Sequence, residues 1–143
     1  MKKEFKFDVY MLCPVRNATE EEQRFLENYK QKLERKNLVA HYPATDTEQK
    51  DSSGGYRICM DHCDEIANSK SIHIYWNPTS AGSKVDLGSS LIEHKRRGLD
   101  ILLMNRDFVE SIVKEQKEKG LTKSYEMVLL KLDDIADSST RVK

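Results

Sequence analysis

The chain has 143 residues, the size of one domain with its own hydrophobic core. Its 24 Lys and Arg residues balance its 24 Asp and Glu residues, and a formal net charge of zero argues against general nucleic-acid binding, which needs a basic excess. No apolar run approaches the roughly 20 residues of a transmembrane helix, so we expect no membrane partner.

The cysteine content and the first residues predict the compartment. Three cysteines are an odd number and give no disulfide framework, which favours a reducing cytoplasm. The opening M-K-K-E-F-K-F-D lacks the apolar core of a signal peptide. We therefore expect a cytoplasmic protein.

The chain begins with a strand and a helix. The mostly apolar run at residues 7–12 predicts a strand in the centre of a sheet, and a loop follows at residues 13–18. Thr19 and Glu22 have the spacing of a capping box, which predicts a helix from there to about Asn37.

A short strand, a long polar segment and a second helix come next. Residues 38–42 predict the strand, and residues 44–55 are rich in Gly and Ser. A loop of this length is either a binding loop or lid, or a mobile connection, and both interpretations stay open. A helix is predicted from Tyr56, and its residues available for burial are Ile58, Met60, Cys63, Ile66 and Ala67.

A strand-helix-strand unit occupies the middle of the chain. Residues 71–76 predict the third strand, residues 85–97 the third helix and residues 99–104 the fourth strand. A fourth helix follows Asp107 and ends at Gly120.

The last segment has two interpretations. Residues 124–136 show helical spacing of apolar residues, and we favour a helix, although residues 127–130 alone would suit a fifth strand. Residues 1–137 are then one domain, and residues 138–143 a frayed tail.

This alternation predicts a three-layer α/β sandwich with a mostly parallel sheet of four or five strands, as in flavodoxin-like and Rossmann-like folds. Crossovers in opposite directions give the strand order 2-1-3-4, with the switch point between the first and third strands. Ligands bind outside the carboxyl ends of strands at such a point. The loops after Leu12 and Trp76 should therefore form the site.

Asp86 is the central candidate, because it lies where the third strand's loop meets the third helix. A carboxylate there can serve a ligand site. Alternatively, Ser83 and Asp86 form an S-x-x-D pattern that would cap the helix. Both interpretations remain open at this stage.

Residues near the same loops are candidates for binding a ligand. Ser80, Gly82 and Ser83 would hold a phosphate through N–H groups and hydroxyls, unless they are an ordinary turn. Arg16 and Arg57 are candidate phosphate-binding cations, unless each is simply solvated. The remaining candidates in these loops are Cys13, Asn17, Asn77 and Trp76, of which Trp76 would stack on a base.

Cys59, His62 and Cys63 share one predicted helix. A zinc site needs four ligands with at least one from another segment, and no second Cys or His pair is present in the sequence. We therefore predict no metal site and expect both cysteines to be small buried thiols. Cys13 has no base partner that the sequence identifies.

Two motifs resemble a known family. The tetrapeptide G-G-Y-R at residues 54–57 and the run S-A-G-S-K-V-D-L-G at residues 80–88 resemble the nucleoside 2-deoxyribosyltransferase superfamily, in particular the 2′-deoxynucleoside 5′-phosphate N-hydrolases. The run Y-M-L-C-P-V-R-N at residues 10–17 is similar in placement to that family's first nucleotide-binding loop.

The resemblance implies a reaction at C1′ of a sugar. Asp86 would attack or stabilise C1′ while the base leaves, and Asp61 or Asp64 would be the second carboxylate. The family has Glu where this chain has Asp86, a side chain shorter by one methylene.

We therefore expect a protein that binds a nucleoside or nucleotide and cleaves or transfers at the N-glycosidic bond, without a cofactor. The alternative is a binding module of the same fold that has lost turnover. Relatives in this family assemble as oligomers, and the apolar stripe at residues 125–135 would suit a homodimer or larger assembly.

Overall fold

The computed structural model describes residues 4–142, which form four strands and six helices. The strands are β1 Phe7–Leu12, β2 Ala40–His41, β3 Ser69–Ile74 and β4 Asp100–Leu103. The helices are α1 Glu20–Arg35, α2 Pro43–Asp46, α3 Tyr56–Ala67, α4 Ala81–Arg97, α5 Arg106–Glu118 and α6 Tyr125–Ile135.

The four strands form one parallel sheet in the order β2-β1-β3-β4. In the register between the two central strands, Val9 lies opposite Ser71 and Leu12 opposite Ile74. The predicted α/β class and the predicted strand order are both confirmed. The switch point lies between β1 and β3, whose carboxyl ends therefore open side by side.

The alternating side chains of the sheet build two cores. On one face, Tyr10 and Leu12 of β1 belong to a cluster with apolar side chains of α3, α4, α5 and α6. On the other face, Val9 and Met11 pack with Leu26, Tyr29 and Leu33 of α1. Because both faces are covered, β1 is buried on both sides, as its continuous apolar sequence predicts.

Local sequence explains where the helices begin. The capping box of α1 is present, with Glu22 N–H donating to Thr19 Oγ1 and Thr19 N–H to Glu22 Oε1, both at 3.0 Å. The turn before α3 requires its two glycines, because Gly54 and Gly55 have φ angles of +73° and +104°.

Several predicted boundaries differ from the structure. The short helix α2 begins at Pro43, inside a segment that we predicted to be a strand end and a loop. Strand β3 begins at Ser69 and ends at Ile74, two residues earlier than predicted, because Ser69 pairs with Phe7. Residues 127–130 are helical, so the helix interpretation of the last segment is confirmed.

Helix α6 lies along β4. Asp133 of α6 accepts the N–H of Leu103 at 2.8 Å, and its own carboxylate is paired with Arg106 at 2.6 Å and Arg141 at 2.9 Å. Its side chain is only 2% exposed. Helix and strand are thereby joined at a buried carboxylate.

The segment after α6, predicted to be a frayed tail, makes specific contacts within its described residues. Thr140 Oγ1 lies 2.9 Å from Nε2 of the buried His73, and Lys36 donates to the carbonyl of Arg141 at 3.0 Å. Val142 packs against the core on the α1 side. No helix within residues 4–142 is long and apolar enough to cross a membrane.

Candidate functional site

A pocket with a volume of about 680 Å³ lies at the carboxyl ends of β1 and β3. Its walls are the loop after β1, the first turns of α4 and the inner face of α3. The predicted site residues that line it are Cys13, Arg16, Asn17, Asn77, Ser80, Gly82, Ser83 and Asp86. The sheet edge that topology predicts as the ligand site is therefore the edge that holds this pocket.

Asp86 belongs to the second turn of α4 and does not cap the helix. Helix α4 begins at Ala81, and Ser80 is its N-cap, with Ser83 N–H donating to Ser80 Oγ at 3.3 Å. The predicted start of this helix near Val85 is therefore wrong, and of the two open interpretations of Asp86, the structure contradicts the one in which it caps the helix with Ser83. Because the Ser80 hydroxyl already accepts an N–H of the first helical turn, the Asp86 carboxylate is not used as a cap and contacts other residues.

Two donors from distant parts of the chain hold one oxygen of Asp86. The hydroxyl of Tyr10 donates to Oδ2 at 3.0 Å, and Nδ1 of His62 lies 3.1 Å from the same atom. The side chains of His62 and Asp86 are each 13% exposed. Strand β1, helix α3 and helix α4 therefore meet at a single carboxylate oxygen.

The other oxygen of Asp86 remains open. Within residues 4–142, Oδ1 accepts no hydrogen bond, and it is not among the buried polar atoms that lack a partner. Since Asp86 lines the pocket, Oδ1 is the oxygen that a ligand can reach. A carboxylate with one anchored and one accessible oxygen is suited to meet a cationic or electrophilic centre.

His62 is a site residue that the sequence did not identify. Burial lowers its pKa, but the hydrogen bond that it donates to Asp86 and the charges of Asp86, Glu65 and Asp61 raise it, and the net pKa lies above the ordinary 6.5. Its Nε2 is buried and has no hydrogen-bond partner among the described residues. A buried imidazole against a carboxylate in a cleft is a feature of functional sites.

Tyr10, which begins the run that resembles a nucleotide-binding loop, is the other partner of Asp86. It is fully buried, and its ring meets that of His62 edge-on with centroids 6.1 Å apart. Burial and the neighbouring Asp86 raise its pKa well above 10, so the hydroxyl stays a donor. Tyr10 is therefore both a core residue and a hydrogen-bond donor to the Asp86 carboxylate.

Cys13 lines the pocket without the properties of a nucleophile. Burial first, and then the charges of Asp86 and Glu22, raise the pKa of its thiol far above the ordinary range. Its Sγ donates to the carbonyl of Met11 at 3.6 Å. The thiol is thus a neutral part of the wall.

Arg16 is the cation that the pocket offers. It is exposed, it lines the cavity, and it forms no ion pair with any residue in the described part of the chain. The neighbouring Asn17 has a φ of +64°, a left-handed conformation that Asn tolerates and that shapes the turn after β1. An unpaired guanidinium at the mouth of a pocket suits an anionic group.

The polar groups at the start of α4 form the opposite wall. Ser80 and Ser83 hydroxyls lie 2.9 Å apart, and Asn77 Oδ1 accepts from the N–H of Thr79 at 2.9 Å. The apolar part of the wall consists of Pro14, Val15, Ile58 and Val85. The cavity lining thus combines polar groups with apolar side chains.

Three predicted residues on α3 are placed outside the cavity lining. Arg57 pairs with Asp61 at 2.5 Å and also donates to the backbone carbonyls of Glu48 and Lys50. It therefore holds the loop before α3. Asp64 is exposed on the same helix, so neither Asp61 nor Asp64 faces Asp86 across the pocket.

Trp76 does not face the pocket. It is completely buried in the core, and its Nε1–H donates to Glu126 at 2.7 Å. Its backbone N–H and carbonyl are both bound by the side chain of Asn105 at 2.9 Å. The expectation that Trp76 stacks on a base is wrong, because the strand ends at Ile74 and Trp76 turns into the core.

The cysteines of α3 also differ from expectation. Cys59 and Cys63 are exposed and not buried, and Cys63 Sγ lies 3.7 Å from the hydroxyl of Ser89 on α4. Within residues 4–142, no group of three or more His, Cys, Asp or Glu side chains is arranged to hold a metal ion.

A second groove lies at the β2 edge of the sheet. Two pairs of its polar side chains contact each other, since Lys30 pairs with Asp46 at 2.8 Å and His41 Nε2 lies 2.8 Å from a carboxylate oxygen of Glu65. It contains none of the residues predicted to bind a ligand. The pocket around Asp86 is therefore the better candidate site.

Comparisons with known proteins do not identify the chain, because no protein-family model matches it and no curated protein shows significant similarity.

Proposed function

We propose that the protein binds a nucleoside or nucleotide in the pocket around Asp86 and cleaves or transfers at its N-glycosidic bond. The observation that carries the proposal is the Asp86 carboxylate, with Oδ2 held by Tyr10 and His62 and Oδ1 open to the cavity. The motifs at residues 54–57 and 80–88 add the resemblance to nucleoside 2-deoxyribosyltransferases.

The reaction requires little more than this carboxylate. Oδ1 would attack C1′ of the sugar, or stabilise the oxocarbenium-like centre, while the bonding electrons of the N-glycosidic bond leave with the base. The base nitrogen takes a proton from solvent. Water, or a second base, then bonds to C1′ and gives its proton to solvent, which breaks any C1′–Oδ1 bond and returns the free carboxylate, so that the outcome is hydrolysis or transfer respectively.

The cavity supports a ligand with three chemically different parts. Arg16 at the mouth would pair with a 5′-phosphate. The apolar side chains Ile58 and Val85 would contact the face of a base. The hydroxyls of Ser80 and Ser83 and the side chain of Asn77 would serve the sugar and the phosphate.

The test is to incubate the protein with each ribo- and deoxynucleoside and each 5′-monophosphate, and to measure released base by chromatography. Asp86→Asn keeps the side-chain size and removes the charge, so base release should fall by at least about a hundredfold. Asp107→Asn is the matched control, because Asp107 is exposed on α5. Release of base that Asp86→Asn leaves unchanged would overturn the proposal.

A binding module without turnover is the second candidate. The observation that favours it is that Asp86 is the sole carboxylate among the cavity-lining residues in the described part of the chain. Two-carboxylate glycosidases place a second acid at the leaving group. A rise in melting temperature with a nucleotide, without product, would support this candidate over the enzyme.

We also propose a homo-oligomer in the cytoplasm. Leu129 and Leu132 of α6 are buried, but Tyr125, Val128 and Ile135 are 58%, 40% and 54% exposed. These side chains would suit contact with a second copy. Light scattering coupled to gel filtration tests it, and a monomeric mass at micromolar concentration would contradict it.

A further inference from the structure

The imidazole of His62, on α3, contacts side chains of two other elements and lies close to acidic groups. Asp86 of α4 contacts Nδ1 at 3.1 Å, and Tyr10 of β1 presents its ring to that of His62 at 6.1 Å. Glu65 and Asp61, on the same helix as His62, add negative charge. These are the titratable groups that determine the ionisation of His62.

We propose that His62 is a positioning residue whose ionisation switches Asp86 between an active and an inactive state. Neutral His62 donates its Nδ1–H to Oδ2 and keeps Oδ1 directed into the pocket. Protonated His62 cancels the charge of the carboxylate. The inference rests on the proposed function, because it assumes that the negative charge of Asp86 is what acts on the sugar.

The geometry selects one tautomer of neutral His62. Asp86 Oδ2 is an acceptor, so the contact at 3.1 Å requires the proton on Nδ1. Nε2 is then unprotonated and has no partner among the described residues. Neutral His62 therefore donates its single N–H to the carboxylate, as the histidine of a catalytic His–Asp pair does.

Protonation changes both ends of the ring. At Nδ1 it places an imidazolium beside the carboxylate, which opposes the positive charge that develops at C1′. At Nε2 it adds a buried N–H without an acceptor in the described chain. Burial opposes the charged form, while the neighbouring carboxylates favour it and raise the pKa of His62 above 6.5. The switch thus falls at a higher pH than it would for an ordinary histidine.

The first experiment compares pH profiles of base release for wild type, His62→Asn and His62→Ala. Wild-type kcat/KM should fall tenfold per pH unit below the His62 midpoint. The Asn amide reproduces the Nδ1–H donor but does not titrate, so its activity should persist at least one pH unit lower. At pH 8, His62→Ala should lose about tenfold or more, and His62→Asn should recover most of it.

His94→Asn is the matched control, because His94 lies in the last turn of α4 and binds the carbonyl of Leu99 at 2.7 Å. It should retain the wild-type profile. An acid limb at the same pH in wild type and His62→Asn would overturn the switch. If His62→Ala does not fold, the comparison of wild type with His62→Asn still decides.

The second experiment does not depend on activity. In ¹⁵N-histidine-labelled full-length protein, the His62 midpoint is followed by NMR in wild type and Asp86→Asn. Loss of the carboxylate should lower the midpoint, since burial then dominates. An unchanged midpoint would overturn the inference even if base is released. A lowered midpoint without base release from any substrate would instead overturn the proposed function.

Discussion

The hydroxyl of Tyr10 donates to Oδ2 of Asp86 at 3.0 Å, although the two residues are 76 positions apart in the chain. Tyr10 is a fully buried residue of the central strand, so its hydroxyl has a fixed position. The site carboxylate is therefore located by the core of the sheet. Changes to this bond should affect stability and the site together.

Tyr10→Phe removes the hydroxyl and leaves the ring in place. A hydrogen bond to a charged group contributes about 1.5–3 kcal/mol, so the free energy of unfolding should fall by about this amount. Urea denaturation measures it, with an unchanged m-value as the sign of an intact fold. Base release should also decrease, because Oδ2 keeps only the His62 contact.

Tyr42→Phe is the matched control for this substitution. Tyr42 is also buried, and its hydroxyl makes no hydrogen bond with any residue in the range 4–142. Its stability should change by less than about 0.5 kcal/mol. Equal losses in the two variants would show that the Tyr10 hydroxyl bond contributes nothing specific.

Arg16→Ala should distinguish nucleotides from nucleosides. If Arg16 pairs with a 5′-phosphate, binding of deoxynucleoside 5′-monophosphates should weaken about tenfold, while binding of deoxynucleosides should not change. Calorimetric titration measures both. Arg24→Ala is the control, because Arg24 is exposed on α1. Equal weakening for nucleoside and monophosphate would contradict a phosphate role for Arg16.

Glu126→Ala should destabilise the core beneath the site loop. Glu126 accepts from Trp76 Nε1–H at 2.7 Å and from Gln116 Nε2–H at 2.8 Å, and it is buried. Each buried donor left without a partner costs about 1–3 kcal/mol. We expect Glu126→Gln, which keeps one acceptor, to lie between wild type and Glu126→Ala.

The same denaturation series provides the control for Glu126. Glu118→Ala, at an exposed position of α5, should change stability by less than about 0.5 kcal/mol. If Glu126→Ala were as stable as Glu118→Ala, the Trp76–Glu126 bond would have no net effect on folding.

His73 should make stability fall as the pH falls below neutral. It is fully buried between the hydroxyls of Tyr29 and Thr140, and burial first, then the charges of Arg141 and Lys36, lower its pKa to about 3. Between that pKa and about 6.5, the unfolded chain binds the proton that the native state does not. Stability is therefore lost as the pH decreases through this window.

From pH 7 to pH 5, this single group should cost about 2 kcal/mol of unfolding free energy. His73→Gln cannot take up the proton, so its stability should change by about that much less over the same interval. The raised pKa of His62 acts in the opposite direction, but equally in both proteins. Parallel pH dependences of wild type and His73→Gln would contradict the prediction.

The fold was predictable where local patterns and topology agree. The apolar run of β1, the capping box at Thr19 and the alternation of strands and helices lead to the observed order of the sheet. The boundaries of β3 were not predictable. The polar Ser69 begins the strand because it pairs with Phe7, and the apolar Trp76 lies in the core although strand pairing ends at Ile74. Apolar sequence marks burial and not hydrogen bonding.

The site was predictable only in part. Asp86 and the loops at the switch point follow from the topology of parallel sheets. The convergence of Tyr10 and His62 on Asp86 does not, because it depends on which faces of β1, α3 and α4 meet. A tyrosine in an apolar strand indicates core, and nothing in the sequence around it indicates the carboxylate it will bind.

The Asp133 carboxylate determines how the sheet ends. Leu103 directs its N–H away from β3. An unpaired N–H at the edge of a sheet can hydrogen-bond to a strand of another molecule. Asp133 occupies it at 2.8 Å and is itself held by Arg106 and Arg141. A strand adding at β4 would have to displace a buried, doubly paired carboxylate. Substitution of Asp133 by an apolar residue should therefore release this edge and make the protein prone to aggregation through intermolecular β-pairing.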